Sequence, residues 1–118
     1  MTEFKKRYLS MINADETNRG DVERYQLFYV IARTDELWKN VNSLYDFSKH
    51  ELKAGARKGL HGRVKLMMKR TVHLYNGGGT KDIDSVTLYW GLDDYNAETM
   101  INAQRIFLGQ YDFNKEML

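Results

Sequence analysis

The chain has 118 residues, of which 42% are apolar and 29% are charged, a composition typical of a folded globular protein and not of a disordered one. It contains no cysteine, which excludes disulfides and thiolate metal sites, and its longest strictly apolar run, residues 27–32, is far shorter than the ~20 residues that span a bilayer. The first residues contain no apolar core of a signal peptide, so the sequence predicts one cytoplasmic domain over residues 1–118.

The net charge is only +2, but it is unevenly distributed along the chain. Residues 49–70 contain eight basic residues and one acidic residue, a local surplus of seven positive charges, whereas acidic residues predominate elsewhere. Such an asymmetry concerns the partners of a protein and not its fold.

Hydrophobic spacing predicts an all-α domain of five to six short helices, and the chain has no proline to interrupt them. A first helix is expected over residues 2–12, where Phe4 and Tyr8 share one face. Asp21 is a suitable N-cap for a second helix over about 22–33. This second helix is apolar on nearly all sides, so we expect it to be the central buried element.

Further helices are predicted along the rest of the chain. Thr34 is the expected cap of a third helix. Ser48 and Glu51 have the spacing of a capping box, which indicates a short helix over residues 49–54 before a glycine-rich connection. A fourth main helix is expected over residues 63–76 and ends at three glycines. Asp84 or Ser85 is expected to cap a short helix over residues 86–90, and a last helix follows residues 93–94.

No motif indicates a catalytic, metal or cofactor site. His50, His61 and His73 lack the spacing of known zinc motifs, and we expect ordinary exposed histidines. The run YNGGGTKD has neither the order nor the context of a phosphate-binding loop, and the acidic residues 82, 84, 93 and 94 lack EF-hand spacing. The sequence therefore predicts a protein that is not an enzyme and has no cofactor. A deep pocket with His61 or His73 beside a carboxylate would favour an enzyme instead.

The basic stretch HELKAGARKGLHGRVKLMMKR is where a partner is most expected to bind. Three interpretations remain open: a solvated surface without a partner, a docking site for an acidic protein, and a phosphate-contacting surface for nucleic acid. An exposed Trp38 or Trp90 would add an aromatic patch to a protein-docking surface. The predicted partner-binding residues are Lys53, Arg57, Lys58, Arg63, Lys65, Lys69 and Arg70.

Three stretches, QLFYVIARTDELWKNVNSLYDF at residues 26–47, VHLYNG at 72–77 and WGLDDYNAETMINAQRI at 90–106, occur in a characteristic order. In this order they resemble a family of small proteins from Firmicutes and their phages and mobile elements, known only as a domain of unknown function. The resemblance implies a bacterial or phage cytoplasm and transfers no functional residue. We therefore expect a binding or regulatory protein that docks a larger macromolecule, with a protein as the first candidate partner and nucleic acid as the alternative.

Overall fold

Helices account for most of the regular structure in the computed structural model, which describes residues 2–55, 59–77 and 83–110. The all-α fold is confirmed. One two-stranded antiparallel hairpin interrupts the helices, with Tyr45 paired to Leu52 and Asp46 to Glu51. The described elements are, in chain order, α1 Glu3–Asp15, α2 Val22–Arg33, α3 Asp35–Lys39, α4 Val41–Leu44, β1 Tyr45–Asp46, β2 Glu51–Leu52, α5 Gly62–Tyr75, α6 Ser85–Tyr89 and α7 Asp94–Phe107.

Helix α2 is the central element, with the bounds expected from the sequence. The Asp21 carboxylate accepts a hydrogen bond of 3.0 Å from the backbone N–H of Arg24, which satisfies a free donor of the first turn. Every residue from 26 to 32 is buried. Helices α1, α5 and α7 pack around α2, so its apolar residues have no side that faces solvent over these two turns.

Two buried amide side chains connect α2 to its neighbours. Gln26 Nε2 donates to the backbone carbonyl of Thr71 on α5 at 2.8 Å, and Asn102 Nδ2 on α7 donates to the hydroxyl of Tyr29 at 2.9 Å. A buried donor without an acceptor is costly, so these contacts favour one relative position of the helices.

Helix α1 extends further than its apolar spacing predicts. It reaches Asp15, three residues beyond the expected end at Ile12, and closes at Glu16, which adopts the left-handed conformation with φ +53°. The extra turn brings Asp15 to a buried position, although an aspartate near a helix end is usually exposed.

The helix predicted over residues 49–54 is wrong, and this segment belongs to the hairpin. The Asp46 carboxylate accepts hydrogen bonds from the backbone N–H groups of Ser48 and Lys49 and from the Ser48 hydroxyl. An aspartate that bonds the backbone two and three residues later stabilises a turn, which competes with helix formation. His50 completes the turn with a left-handed φ of +57°.

Candidate functional site

The described basic residues that were predicted to bind a partner differ in how exposed they are. Lys65 and Lys69 are exposed on the outer side of α5, one helical turn apart. Lys53 is exposed just after the hairpin, and its ammonium group donates a hydrogen bond to the backbone carbonyl of Asn42. The remaining predicted contacts include Arg57 and Lys58, which lie outside the described residues.

Two arginines of α5 attach the α6 segment to the rest of the fold. Arg63 Nη1 donates to the carbonyl of Thr87 at 2.9 Å, and Arg70 Nη2 donates to the carbonyl of Ile83 at 2.9 Å. Arg70 is only 8% exposed, so it belongs to the packing between α5 and the residues before α6 and not to an open basic surface. The sequence prediction differs because helical spacing does not show that a later segment covers this side of α5.

Local contacts fix the orientation of α6. The Asp84 carboxylate accepts hydrogen bonds from the backbone N–H and hydroxyl of Thr87, at 2.8 and 2.9 Å, and these bonds hold the pKa of Asp84 below its ordinary value. Leu88 is fully buried and anchors the helix. Beyond the helix end, the Arg63 guanidinium packs against Gly91, where a Cβ atom would lie 3.1 Å from Arg63 Nη2.

The side of α6 that faces away from the core carries an exposed apolar patch. Val86 is 76% exposed and Trp90, four residues later, is 72% exposed. We call these two residues the Trp90 patch. Trp38, by contrast, is half-buried, with the Arg7 guanidinium 5.6 Å from its ring centroid. Of the two tryptophans, only Trp90 therefore presents a large free aromatic surface.

A second candidate site centres on the buried carboxylate of Asp15, whose side chain is 2% exposed. Its Oδ1 atom accepts a 2.6 Å hydrogen bond from the Tyr45 hydroxyl and lies 3.1 Å from His50 Nδ1. Its Oδ2 atom accepts a 2.7 Å hydrogen bond from the Thr17 hydroxyl. The end of α1, strand β1 and the hairpin turn thus converge on one carboxylate.

Arg24 of α2 holds the hairpin against this carboxylate. Its Nε atom donates to the Tyr45 hydroxyl at 3.0 Å, Nη1 donates to Asp21 Oδ2 at 2.8 Å, and Nη2 donates to the backbone carbonyl of His50 at 2.7 Å. The Nε atom is also 3.6 Å from Asp15 Oδ2. Hydrogen bonding to Tyr45 and Asp21 outweighs burial and raises the pKa of Arg24, so the guanidinium remains charged.

The backbone is strained at two residues next to Asp15: Glu16, which follows it in the chain, and His50, whose ring lies beside its carboxylate. Glu16 and His50 are the two residues other than glycine with positive φ in the described part of the chain. A left-handed conformation of this kind costs about 1–3 kcal/mol per residue and persists where surrounding contacts enforce it. Such residues are frequent at functional sites, which makes their coincidence here informative.

Asp15 and the residues around it line a cavity of about 280 Å³ that opens to solvent. A neighbouring cavity of about 480 Å³ shares Asp21 and Arg24 and also contacts Tyr75. Burial raises the pKa of both Tyr45 and Tyr75, so both phenols stay protonated above the pH at which an ordinary tyrosine ionises. We call the first space the Asp15 cavity, and its lining residues are Asp15, Glu16, Thr17, Asn18, Asp21, Arg24 and His50.

The sequence pointed to His61 or His73 as the histidine that would accompany a carboxylate in an enzyme. In the structure the histidine that lies beside a carboxylate is His50. His61 is exposed at the start of α5, and His73 is half-buried within that helix. His50 was expected on a helix, where it would not have met Asp15, which is 35 residues earlier. The only local signal is Asp46 followed by Ser48, a pattern that also favours a turn.

Neither a metal-binding group nor a membrane-spanning helix occurs in the described part of the chain. In residues 2–55, 59–77 and 83–110, no three histidine, cysteine, aspartate or glutamate side chains are grouped so as to hold a metal ion. No helix in these ranges is both long and apolar enough to cross a membrane.

Comparison with models of protein families yields a match. A family model described as "Family of unknown function (DUF6075)" matches residues 1–116. No curated protein and no solved structure matches the chain. The comparison therefore supplies a family for nearly the whole chain, and that family's description names no activity.

Proposed function

Because the chain belongs to DUF6075, a family described only as being of unknown function, we propose a function from its geometry: it is a binding protein that docks an acidic, partly apolar segment of a larger protein. The observation that carries this proposal is the Trp90 patch, which adjoins Arg63 on α5. The docking site consists of the patch and Arg63, and the exposed Lys65 and Lys69 lie elsewhere on the surface of the same helix.

An exposed tryptophan is the strongest single argument for a protein partner. Trp90 is 72% exposed although it is the largest side chain on its segment, and Val86 beside it is 76% exposed. Burying an aromatic side chain gives more binding free energy than burying most others, and tryptophan is enriched among the residues that dominate interfaces. The fixed position of α6 supports this role, since a held anchor loses little conformational entropy on binding.

The charges of helix α5 favour an acidic partner. Helix α5 contains four lysine and arginine residues and no acidic residue. Lys65 and Lys69 are exposed, so they attract an acidic surface at long range and increase the association rate more than the final affinity. Arg63 bonds Thr87 and lies close to Gly91, and the residue is partly exposed, so we place an acidic side chain of the partner next to it.

We place this activity in the cytoplasm of a bacterium of the Firmicutes or of a cell infected by one of its phages. The sequence resemblance described above supports that setting. Small proteins in such a setting often act by binding and modulating larger ones.

The test is cross-linking in cells that express the protein, followed by mass spectrometry of captured proteins. Trp90→Ser should abolish the capture of a partner that docks at the patch. Truncating an interface tryptophan typically costs at least ~2 kcal/mol, or about 30-fold in affinity. Lys65→Glu with Lys69→Glu should reduce capture of the same partner mainly at low salt. Ile101→Ser is the matched control, because Ile101 is 50% exposed on α7. A partner whose capture is equally sensitive to Ile101→Ser would contradict docking at the Trp90 patch.

Nucleic acid is the second candidate partner, since a tryptophan beside an arginine also suits the stacking of an unpaired base. In this alternative the exposed cations of residues 49–70, such as Lys53, Lys65 and Lys69, contact phosphates. Fluorescence anisotropy of labelled duplex and single-stranded DNA and RNA tests it at low and near-physiological salt. Binding that weakens by orders of magnitude as salt rises, and that Trp90→Ser weakens for single strands, would replace the protein-docking proposal. No binding at low salt would remove the alternative.

A further inference from the structure

We propose that His50 and Asp15 form a general acid–base pair that hydrolyses an uncharged or positively charged carboxylic ester bound in the Asp15 cavity. This activity is separate from the docking function and uses none of its residues. It rests on the geometry around one buried carboxylate and one half-exposed imidazole.

The hydrogen bonds of Asp15 define which nitrogen of His50 is available. Both carboxylate oxygens accept hydrogen bonds, Oδ1 from Tyr45 and Oδ2 from Thr17, as expected of an ionised carboxylate. His50 Nδ1, 3.1 Å from Oδ1, must then carry the proton. In neutral His50 the lone pair is therefore on Nε2, and the side chain is 50% exposed. Among the described residues, no hydrogen bond engages Nε2.

The imidazole is held in position before any substrate binds. Arg24 donates to the backbone carbonyl of His50 at 2.7 Å, and Asp15 fixes one edge of the ring. The left-handed φ of +57° is kept by these contacts, although His50 is not a glycine. An acid–base group that is oriented in advance avoids the entropic cost of finding its productive geometry.

Water is the nucleophile in this reaction. Of the residues that line the described cavity, none is a serine or cysteine, and the Thr17 hydroxyl is already bonded to Asp15. His50 Nε2 takes a proton from water as the water oxygen attacks the ester carbonyl and forms a tetrahedral intermediate. The intermediate then breaks its bond to the alcohol oxygen, and the imidazolium returns the proton to that oxygen. The products are the carboxylic acid and the alcohol, and Asp15 stabilises the imidazolium without taking a proton itself.

The charges of the cavity select the class of ester. Asp15, Glu16 and Asp21 line it together with Arg24, so three carboxylates face one guanidinium. Asp21 and Arg24 neutralise each other at 2.8 Å, which leaves a negative field around His50. This field repels an anionic substrate, so it favours an uncharged or cationic ester. Asn18 also lines the cavity, and we assign its side-chain amide as the donor to the carbonyl oxygen.

The test is the release of p-nitrophenolate from p-nitrophenyl acetate, compared with the anionic p-nitrophenyl hemisuccinate. The main variant is His50→Asn, because asparagine tolerates a left-handed φ but has no imidazole. The matched control is His61→Gln, which removes an exposed imidazole that makes no capping hydrogen bond in α5. Circular dichroism confirms that each variant is folded, and His50→Gln replaces His50→Asn if the latter is not.

We expect His50→Asn to lose at least about 100-fold in kcat/KM for the acetate ester, the usual contribution of a positioned general base. His61→Gln should keep the wild-type value, and hemisuccinate should be hydrolysed more slowly than acetate. Equal rates for folded His50→Asn and the wild type would overturn the proposal, and faster hydrolysis of hemisuccinate would overturn the substrate class. Nitrogen-15 NMR of the wild type adds a check that needs no variant, since neutral His50 must carry its proton on Nδ1.

Discussion

At the scale of single residues, the main feature is how many contacts Asp15 combines. A carboxylate with a side chain 2% exposed is stable there only because neighbouring donors replace the water that burial removes. Tyr45 provides the shortest of these hydrogen bonds, at 2.6 Å, and its ring also packs edge-on against Phe28 at a centroid distance of 5.2 Å. Tyr45 therefore connects the polar cluster to the apolar core.

Removing the Tyr45 hydroxyl should lower stability at neutral pH and make stability less dependent on pH in the alkaline range. Burial, and then the Asp15 acceptor, raise the pKa of Tyr45, so folding favours the neutral phenol. Its contribution is complete below the ordinary tyrosine pKa of about 10 and is lost as pH rises above it, because the unfolded chain ionises first. Tyr45→Phe should lower the free energy of unfolding at pH 7 by about 1–3 kcal/mol, since Asp15 loses a donor.

Above pH 10, the same variant should lose stability less steeply than the wild type. Urea unfolding at a series of pH values measures both effects. Tyr75 and Tyr89 also have raised pKa values, so we expect the alkaline slope to decrease and not to vanish. An unchanged slope would show that Tyr45 does not stay protonated in the fold.

At the scale of elements, the attachment of α6 depends on a glycine that leaves room for an arginine. Gly91 has φ +77°, and a Cβ atom there would approach Arg63 Nη2 to 3.1 Å and Nε to 3.2 Å. Gly91→Ala should therefore destabilise the fold by ~1–2 kcal/mol from the left-handed backbone, plus the cost of displacing Arg63. Gly20→Ala is the matched control, because Gly20 has φ +89° with open space around it.

Hydrogen exchange and denaturant unfolding distinguish the two contributions. Gly91→Ala should speed amide exchange in α6, since Arg63 loses its bond to Thr87, whereas Gly20→Ala should change only overall stability. Equal losses in the two variants, with α6 exchange unchanged, would contradict the idea that Arg63 holds this helix.

The elements also show how much of the molecule the sequence predicts. Helix α2 was predicted with its observed bounds because its signals are local: Asp21 as a cap and apolar residues on all sides. The hairpin was missed because Ser48 and Glu51 fit a capping box, whereas the hydrogen bonds of Asp46 and the pairing of strands decide the outcome. The Asp15 cavity depends on contacts across tens of residues, which no local pattern reports.

At the scale of the whole molecule, stability should depend most on the core around α2. Leu27 is fully buried there, so Leu27→Ala removes methyl groups and leaves space that the packed neighbours fill only in part. We expect a loss of about 2–5 kcal/mol in the free energy of unfolding. Leu108→Ala, the same change at a residue 55% exposed beyond α7, should cost less than ~0.5 kcal/mol. Denaturant unfolding compares the two, and similar losses would contradict a core centred on α2.

The two tryptophans, placed in unlike surroundings, give the molecule two optical reporters. Trp90 is open to solvent and should emit at longer wavelength and respond to iodide, while Trp38 lies half-buried under Arg7 and should be shielded. An occupant on α6 would change the first emission without the second, whereas unfolding would change both. Binding at the surface and loss of the core are therefore separable in one unlabelled spectrum.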